Sequence, residues 1–241
     1  VPSSRLVEDI PVARRSRSSP SRRSASPWRR LAWLLLACGL FSASTVLLLR
    51  GPLRSLISPL PVAGLNARLS PDGRLLGHFP YPEAAASALV ALPGGDRLRP
   101  DAAAALTAMR QAAAADGIDL VVLSAFRPLA VQRSLFFGVM AERNQSPRAR
   151  AQVSAPPGFS EHSTGYAVDL GDGAAPATDL SPSFEATPAF HWLVRHGARF
   201  HFQMSFPRGN PQGVSYEPWH WRFEGSTEAL RLFQPANSLT R

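Results

Sequence analysis

Two short stretches, Phe159-Ser160-Glu161-His162-Ser163-Thr164-Gly165-Tyr166-Ala167-Val168-Asp169 and Tyr216-Glu217-Pro218-Trp219-His220-Trp221, carry two histidines and three carboxylates. Whatever this chain folds into has to account for them. A catalytic zinc takes three nitrogen or oxygen ligands from the protein and keeps a fourth position open, and two histidines with one carboxylate are a recurring set. His162, Asp169 and His220 fill that set. Of the two remaining acids, Glu161 adjoins a ligand and in extended chain points away from it, whereas Glu217 stands three residues before the last ligand and can reach water at the same metal. A general base beside such a water is the minimum equipment for hydrolysis. A lone His or Asp is ordinarily only a hydrogen-bonded surface or core residue, so what carries weight is the ordered string as a whole.

Ser160-x-His162-x-x-Gly165-x-Ala167-x-Asp169, followed about fifty residues later by Glu217-x-Trp219-His220, resembles the paired motif of the zinc D-alanyl-D-alanine carboxypeptidases of the VanY type. The likeness extends upstream, where Ser124-Ala125-Phe126-Arg127 and Gln132 occupy the places of that family's Ser-x-Tyr/Phe-Arg segment and its glutamine. The resemblance covers roughly residues 75 to 233. It implies zinc held by His162, Asp169 and His220, with Glu217 taking a proton from water and passing it to the leaving amine. It also implies that Arg127 stabilises the oxyanion, as a fixed, always-charged guanidinium can, and that Ser160 and Gln132 bind substrate. The implied substrate is a peptidoglycan stem peptide that loses its terminal D-Ala. The implied fold is α+β, a compact single domain with a small, mainly antiparallel sheet flanked by helices (DD-peptidase/hedgehog-like). One departure concerns the segment His201-Phe202 and Met204-Ser205-Phe206-Pro207, where the family commonly has Gly-Phe and then Leu-Arg-Tyr-Pro. The missing arginine at Ser205 bears on substrate preference and not on the metal.

The net charge of +9 would invite a nucleic-acid reading if it were spread over the chain. It is not spread: residues 1–49 hold eight arginines against Glu8 and Asp9. Residues 1–30, rich in Ser, Arg and Pro, bury too little to offset ordering entropy and are expected to form a disordered basic cytoplasmic tail. No nucleic-acid partner is expected. Residues 31–49 contain no charge and are closed by Arg50, which fits a membrane-spanning helix preceding the domain. The arginines ahead of it put the N-terminus in the cytoplasm. A single-pass protein of the cell membrane with its catalytic domain outside is therefore expected. A cleaved signal peptide and a lipid-modified Cys38 remain as alternatives that face the domain to the same side. Cys38 is the single cysteine, so the metal site has no thiol ligand.

Residues 50–74, with Pro52, Pro59, Pro61 and Gly64, read as a linker, and 75–235 as the zinc peptidase domain. Pro100 opens an alanine-rich helix that Gly117 stops, with Leu106 and Met109 on one face. Ile118–Leu123 reads as a strand, and Pro128–Arg143 as a helix turning Leu135, Phe136, Val139 and Met140 to the core. Residues 144–157 read as a loop bordering a cleft. Gly165–Leu170 is expected as a strand with Asp169 on the face opposite Tyr166 and Val168. A third helix over 187–196 and a strand over 200–204 follow, with His191, His196 and His201 outside the ligand set. Tyr216–Phe223 reads as the last strand, with a bend at Pro218 needed to turn Glu217 and His220 to one side. A helix over 226–233 closes the domain. Competing functions are an L-Ala-D-Glu endopeptidase, an L,D-carboxypeptidase, or a non-catalytic wall-binding module on the same scaffold. Glu217 speaks against the last, since a pure binder has no use for a base there.

Overall fold

The computed structural model describes residues 60–239, so the expected tail (1–30) and anchor (31–49) lie outside the described residues. None of the described helices is long and apolar enough to cross a membrane. Val62 and Leu65, in the stretch read as linker, are buried against Leu75, Phe136 and Phe159, so the packed part starts ahead of residue 75.

A hairpin of β1 (Val90–Ala91) and β2 (Arg97–Leu98) leads into α1 (Pro100–Ala115). Pro100 occupies the first helical turn, where its missing N–H is not needed. The helix buries Ala102, Leu106, Met109 and Ala113 along one stripe. Then come β3 (Leu120–Ser124), α2 (Leu129–Glu142), the short α3 (Pro147–Ala151), β4 (Ala167–Asp172), α4 (Pro188–His196), β5 (Phe202–Met204), β6 (His220–Phe223) and α5 (Thr227–Asn237). The central sheet is wholly antiparallel in the order β3-β4-β6-β5. This agrees with the expected α+β class.

Buried Val168 and Leu170 of β4 join a core with Leu106, Met109, Leu193, Phe202 and Phe233. The alternation of a strand then turns Ala167, Asp169 and Gly171 to the other face. The second cluster gathers Val62, Leu65, Leu75, Phe136, Ala151 and Phe159 beside α2.

Four local expectations need correction. β4 starts at Ala167, because Gly165 takes a left-handed φ of 74° and ends a 3-10 turn over Glu161–Thr164. A Cβ there would meet Leu89 Cδ2 at 2.6 Å, so only glycine fits without displacement. α2 buries Gln132 and Phe136, one helical turn apart, while Leu135 falls off that stripe and is 41% exposed. The loop over 144–157 contains α3, whose entry is capped by the Ser146 hydroxyl accepting from the Ala149 N–H. The last strand is only His220–Phe223; before it Pro218 and Trp219 form a turn, in which the His220 N–H donates to the Glu217 carbonyl at 3.2 Å.

Candidate metal centre

Sheet register brings two of the candidate ligands together. Asp169 of β4 lies directly opposite His220 of β6, and Ser124 of β3 lies opposite Asp169 from the other side. Opposed residues of an antiparallel pair have Cβ atoms about 5 Å apart on the same face. His162 comes from the 3-10 turn just ahead of β4, which Gly165 reverses. The result is a buried group in which His162, Asp169 and His220 each offer a ligand atom within 4.8 Å of the others.

Each ring has one nitrogen already committed. His162 donates from Nδ1 to the Ala125 carbonyl at 2.7 Å, leaving Nε2 to face Asp169 Oδ2 at 3.2 Å. His220 directs Nε2 to Glu161 Oε2 at 3.0 Å and Nδ1 to Asp169 Oδ1 at 3.1 Å. The two lone pairs that remain are therefore His162 Nε2 and His220 Nδ1, aimed at one carboxylate. Zinc–ligand bonds of about 2.0–2.1 Å at tetrahedral angles separate ligand atoms by about 3.3 Å. The observed nitrogen–oxygen separations match that spacing, and the N, O, N donor set without a thiol fits zinc.

Glu161, expected to point away, is instead built into the centre. Extended geometry does not apply because the residue opens a 3-10 turn. Its carboxylate is buried and accepts from His220, from Ser205 Oγ at 2.5 Å, from Arg222 at 3.0 Å and from Tyr81 at 3.4 Å. Arg222 is held in turn by Glu224 and Asn237. Groups behind a ligating histidine fix its tautomer and ring orientation, and Glu161 does that for His220. Ser205, where the arginine of the resemblance is missing, thus serves this carboxylate. The one legible signal for Glu161 was its place beside His162.

Electrostatics follow from these contacts. Burial alone would raise the Glu161 carboxyl, but the Arg222 charge and the His220 hydrogen bond bring it down to about 2. Burial opposes charge on His220 also, yet a carboxylate at each ring nitrogen pushes it up to about 10. Burial dominates at His162 and lowers it. Without metal, the proton of the pair therefore belongs on His220. Asp169 stays far below the usual carboxylate range despite its burial, because both rings favour its charge.

These side chains line a cleft of about 520 Å³ together with Arg127, Ser160, Glu217 and Trp219. Glu217 is pushed up to about 7, chiefly by burial; His220 opposes the rise while Asp169 and Glu161 add to it. A carboxyl poised near neutrality can both take and return a proton. Arg127 follows β3 and is pinned by Gln132 Oε1 and Ser124 Oγ, both at 3.0 Å, with its NH2 3.6 Å from Asp169. Gln132 is fully buried, and its amide nitrogen is committed to the Ala155 carbonyl at 2.6 Å and Ser154 Oγ at 3.3 Å. It positions Arg127 rather than facing the cleft. Trp219 lines the cleft and Trp221 is buried. His191 and His201 are exposed, His196 packs on Trp192, and none of the three lines the cleft. His78, which the sequence did not single out, does: it is buried and donates to the Ala151 carbonyl at 2.8 Å.

A family model described as VanY, D-alanyl-D-alanine carboxypeptidase, matches residues 95–226. The chain belongs to the VanY family. This VanY-family chain is 29% identical over 151 residues to a D-alanyl-D-alanine carboxypeptidase of Enterococcus faecalis, an alignment taking in 59% of this chain and 54% of that protein. The chain spans about half the length of the curated relatives it matches. A vancomycin resistance D,D-pentapeptidase VanY mutant solved in complex with Zn(II) superposes with a TM-score of 0.52 at 28% identity, covering 65% of this chain and 89% of that one. The LdcB LD-carboxypeptidase gives a TM-score of 0.56 at 25% identity, over 76% of this chain and 90% of its own.

Proposed function

We propose that this VanY-family chain is a zinc-dependent D-alanyl-D-alanine carboxypeptidase that removes the terminal D-Ala from peptidoglycan stem peptides. The observation that carries the reading is the buried His162–Asp169–His220 group with Glu217 and the pinned Arg127 on one cleft. Zinc held by His162 Nε2, Asp169 and His220 Nδ1 would supply Lewis acidity and a water of lowered pKa. Glu217 takes a proton from the attacking water and delivers it to the departing amine of D-Ala. Arg127, its fork fixed from behind, meets the negative charge that develops on the carbonyl oxygen. In this reading Ser160, a buried residue of the cleft wall, contacts the peptide.

The zinc-loaded protein should release D-Ala from a pentapeptide ending in D-Ala-D-Ala. Glu217→Ala should retain zinc and lose at least about 100-fold in turnover; unchanged turnover contradicts the assignment of the base. The likeness to an LD-carboxypeptidase favours one second reading, release of D-Ala from a tetrapeptide. Activity confined to the tetrapeptide would replace the first reading with that one. We further propose attachment to the membrane through residues 31–49 with the catalytic domain outside. A membrane-impermeant protease added to intact cells should then remove the domain, and full protection would refute that topology.

A further inference from the structure

The cleft wall formed by the end of α2 and by α3 carries two arginines, Arg143 and Arg150, that the chemistry above does not use. Arg150 is only 8% exposed, yet its Nε has no hydrogen-bond partner. Among the described residues no carboxylate lies within ion-pair distance of either guanidinium. The acids lining the cleft are engaged elsewhere. Glu161 is held by His220 and Arg222, Asp169 by the two histidines, and the cations acting on Glu217 are His220 and Arg127. Burial lowers the Arg150 pKa, and the charge acting alongside is a second cation, Arg143.

A guanidinium whose Nε is buried without a partner, and which has no counter-ion, is incompletely satisfied in the free protein. It is neutralised when a ligand brings the opposite charge, and a guanidinium fork matches a carboxylate in two parallel hydrogen bonds. The position is also fixed relative to the metal centre. Ala151, the next residue, accepts from His78; His78 packs edge-on to Phe206 at 6.2 Å; and Phe206 lies 5.0 Å from the His220 ring.

We propose that Arg150, with Arg143 at the rim, forms a carboxylate-binding subsite that anchors an anionic peptide in the cleft. The identity of that peptide rests on the peptidase reading; the ion pair itself does not. The carboxylate belongs either to the C-terminus of the peptide or to an acidic residue within it.

The test uses the full zinc-loaded chain carrying Glu217→Ala, so that peptide is bound and not cleaved. Calorimetric titration is made with a pentapeptide ending in D-Ala-D-Ala and holding one internal free carboxylate, in three forms: unmodified, amidated at the terminus, and amidated at the internal acid. Adding Arg150→Met should weaken binding of the unmodified peptide by roughly ten- to a hundredfold. Amidating the carboxylate that Arg150 holds should weaken the parent by a similar factor and abolish its difference from Arg150→Met, which identifies the source. Without peptide, Arg150→Met should melt no lower than the parent, because it removes an unneutralised charge. Should it fail to fold, Arg150→Lys, which keeps the charge and loses the fork, carries the same comparison. Equal affinities with and without Arg150 for all three forms overturn the subsite. D-Ala release by the chain with Glu217 intact separates the two readings. An active enzyme whose KM ignores Arg150 defeats only the subsite, and an inactive one with Arg150-dependent binding defeats only the peptidase assignment.

Discussion

Replacing Glu161 by glutamine probes the centre more sharply than removing a ligand, because shape is kept and only charge and one acceptor are lost. Four donors converge on the two Glu161 oxygens: His220 and Ser205 on Oε2, Arg222 and Tyr81 on Oε1. Glutamine has one oxygen. If its NH2 turns toward His220, Nε2 must become an acceptor, and the ring proton moves to Nδ1, where the metal lone pair is needed. If the NH2 turns the other way it meets the Arg222 guanidinium, which cannot accept. Loss of such a supporting group ordinarily lowers metal affinity 10- to 100-fold, or about 1.4–2.7 kcal/mol. Stability falls as well, because one carboxylate is withdrawn from buried Arg222. Breaking a buried pair costs about 3–5 kcal/mol, and the lower end applies because Glu224 still holds Arg222 at 2.6 Å. Zinc affinity read by chelator competition and unfolding of the metal-free protein by denaturant measure the two effects separately. Zinc binding within twofold of wild type would refute the claim that the Glu161 carboxylate, rather than any acceptor at that position, is needed behind His220.

Arg127→Lys should keep zinc and lower kcat by about 10²–10³-fold, since an ammonium lacks the rigid fork whose two arms Gln132 and Ser124 hold; steady-state kinetics with metal analysis checks this. In the metal-free protein His220 titrates at about 10 and so carries a proton at neutral pH that zinc must displace, while His162 is already neutral there. Zinc affinity should therefore rise about tenfold per pH unit between about pH 7 and 9, and a pH-independent affinity would show His220 to be neutral without metal. Gly165→Ala, which combines a left-handed φ of 74° with a contact of 2.6 Å to Leu89, should lose about 2–4 kcal/mol in denaturant unfolding.

By itself the sequence picked out the groups that meet at the site: His162, Asp169, His220, Glu217 and Arg127 stood out through the paired motif they share with the VanY family, and the fold brings all five to one cleft. Helix α1 was legible too, through Pro100 and its alanine-rich body. What only the tertiary structure decided is the use of each atom. Which nitrogen of His220 is left to share with Asp169 depends on Glu161, 59 residues away, and the fork of Arg127 is held by Gln132, which the family resemblance put on the substrate. The bend expected at Pro218 is present, but it is a full turn that leaves 216–219 outside the strand, since the Glu217 backbone binds Phe206 while His220 pairs with Asp169. Arg150 went unremarked because an arginine in a polar loop looks like any solvated charge until packing buries it without a counter-ion. Local pattern records which groups a chain owns; tautomers, ion pairs and desolvation arise from what long-range packing sets beside them.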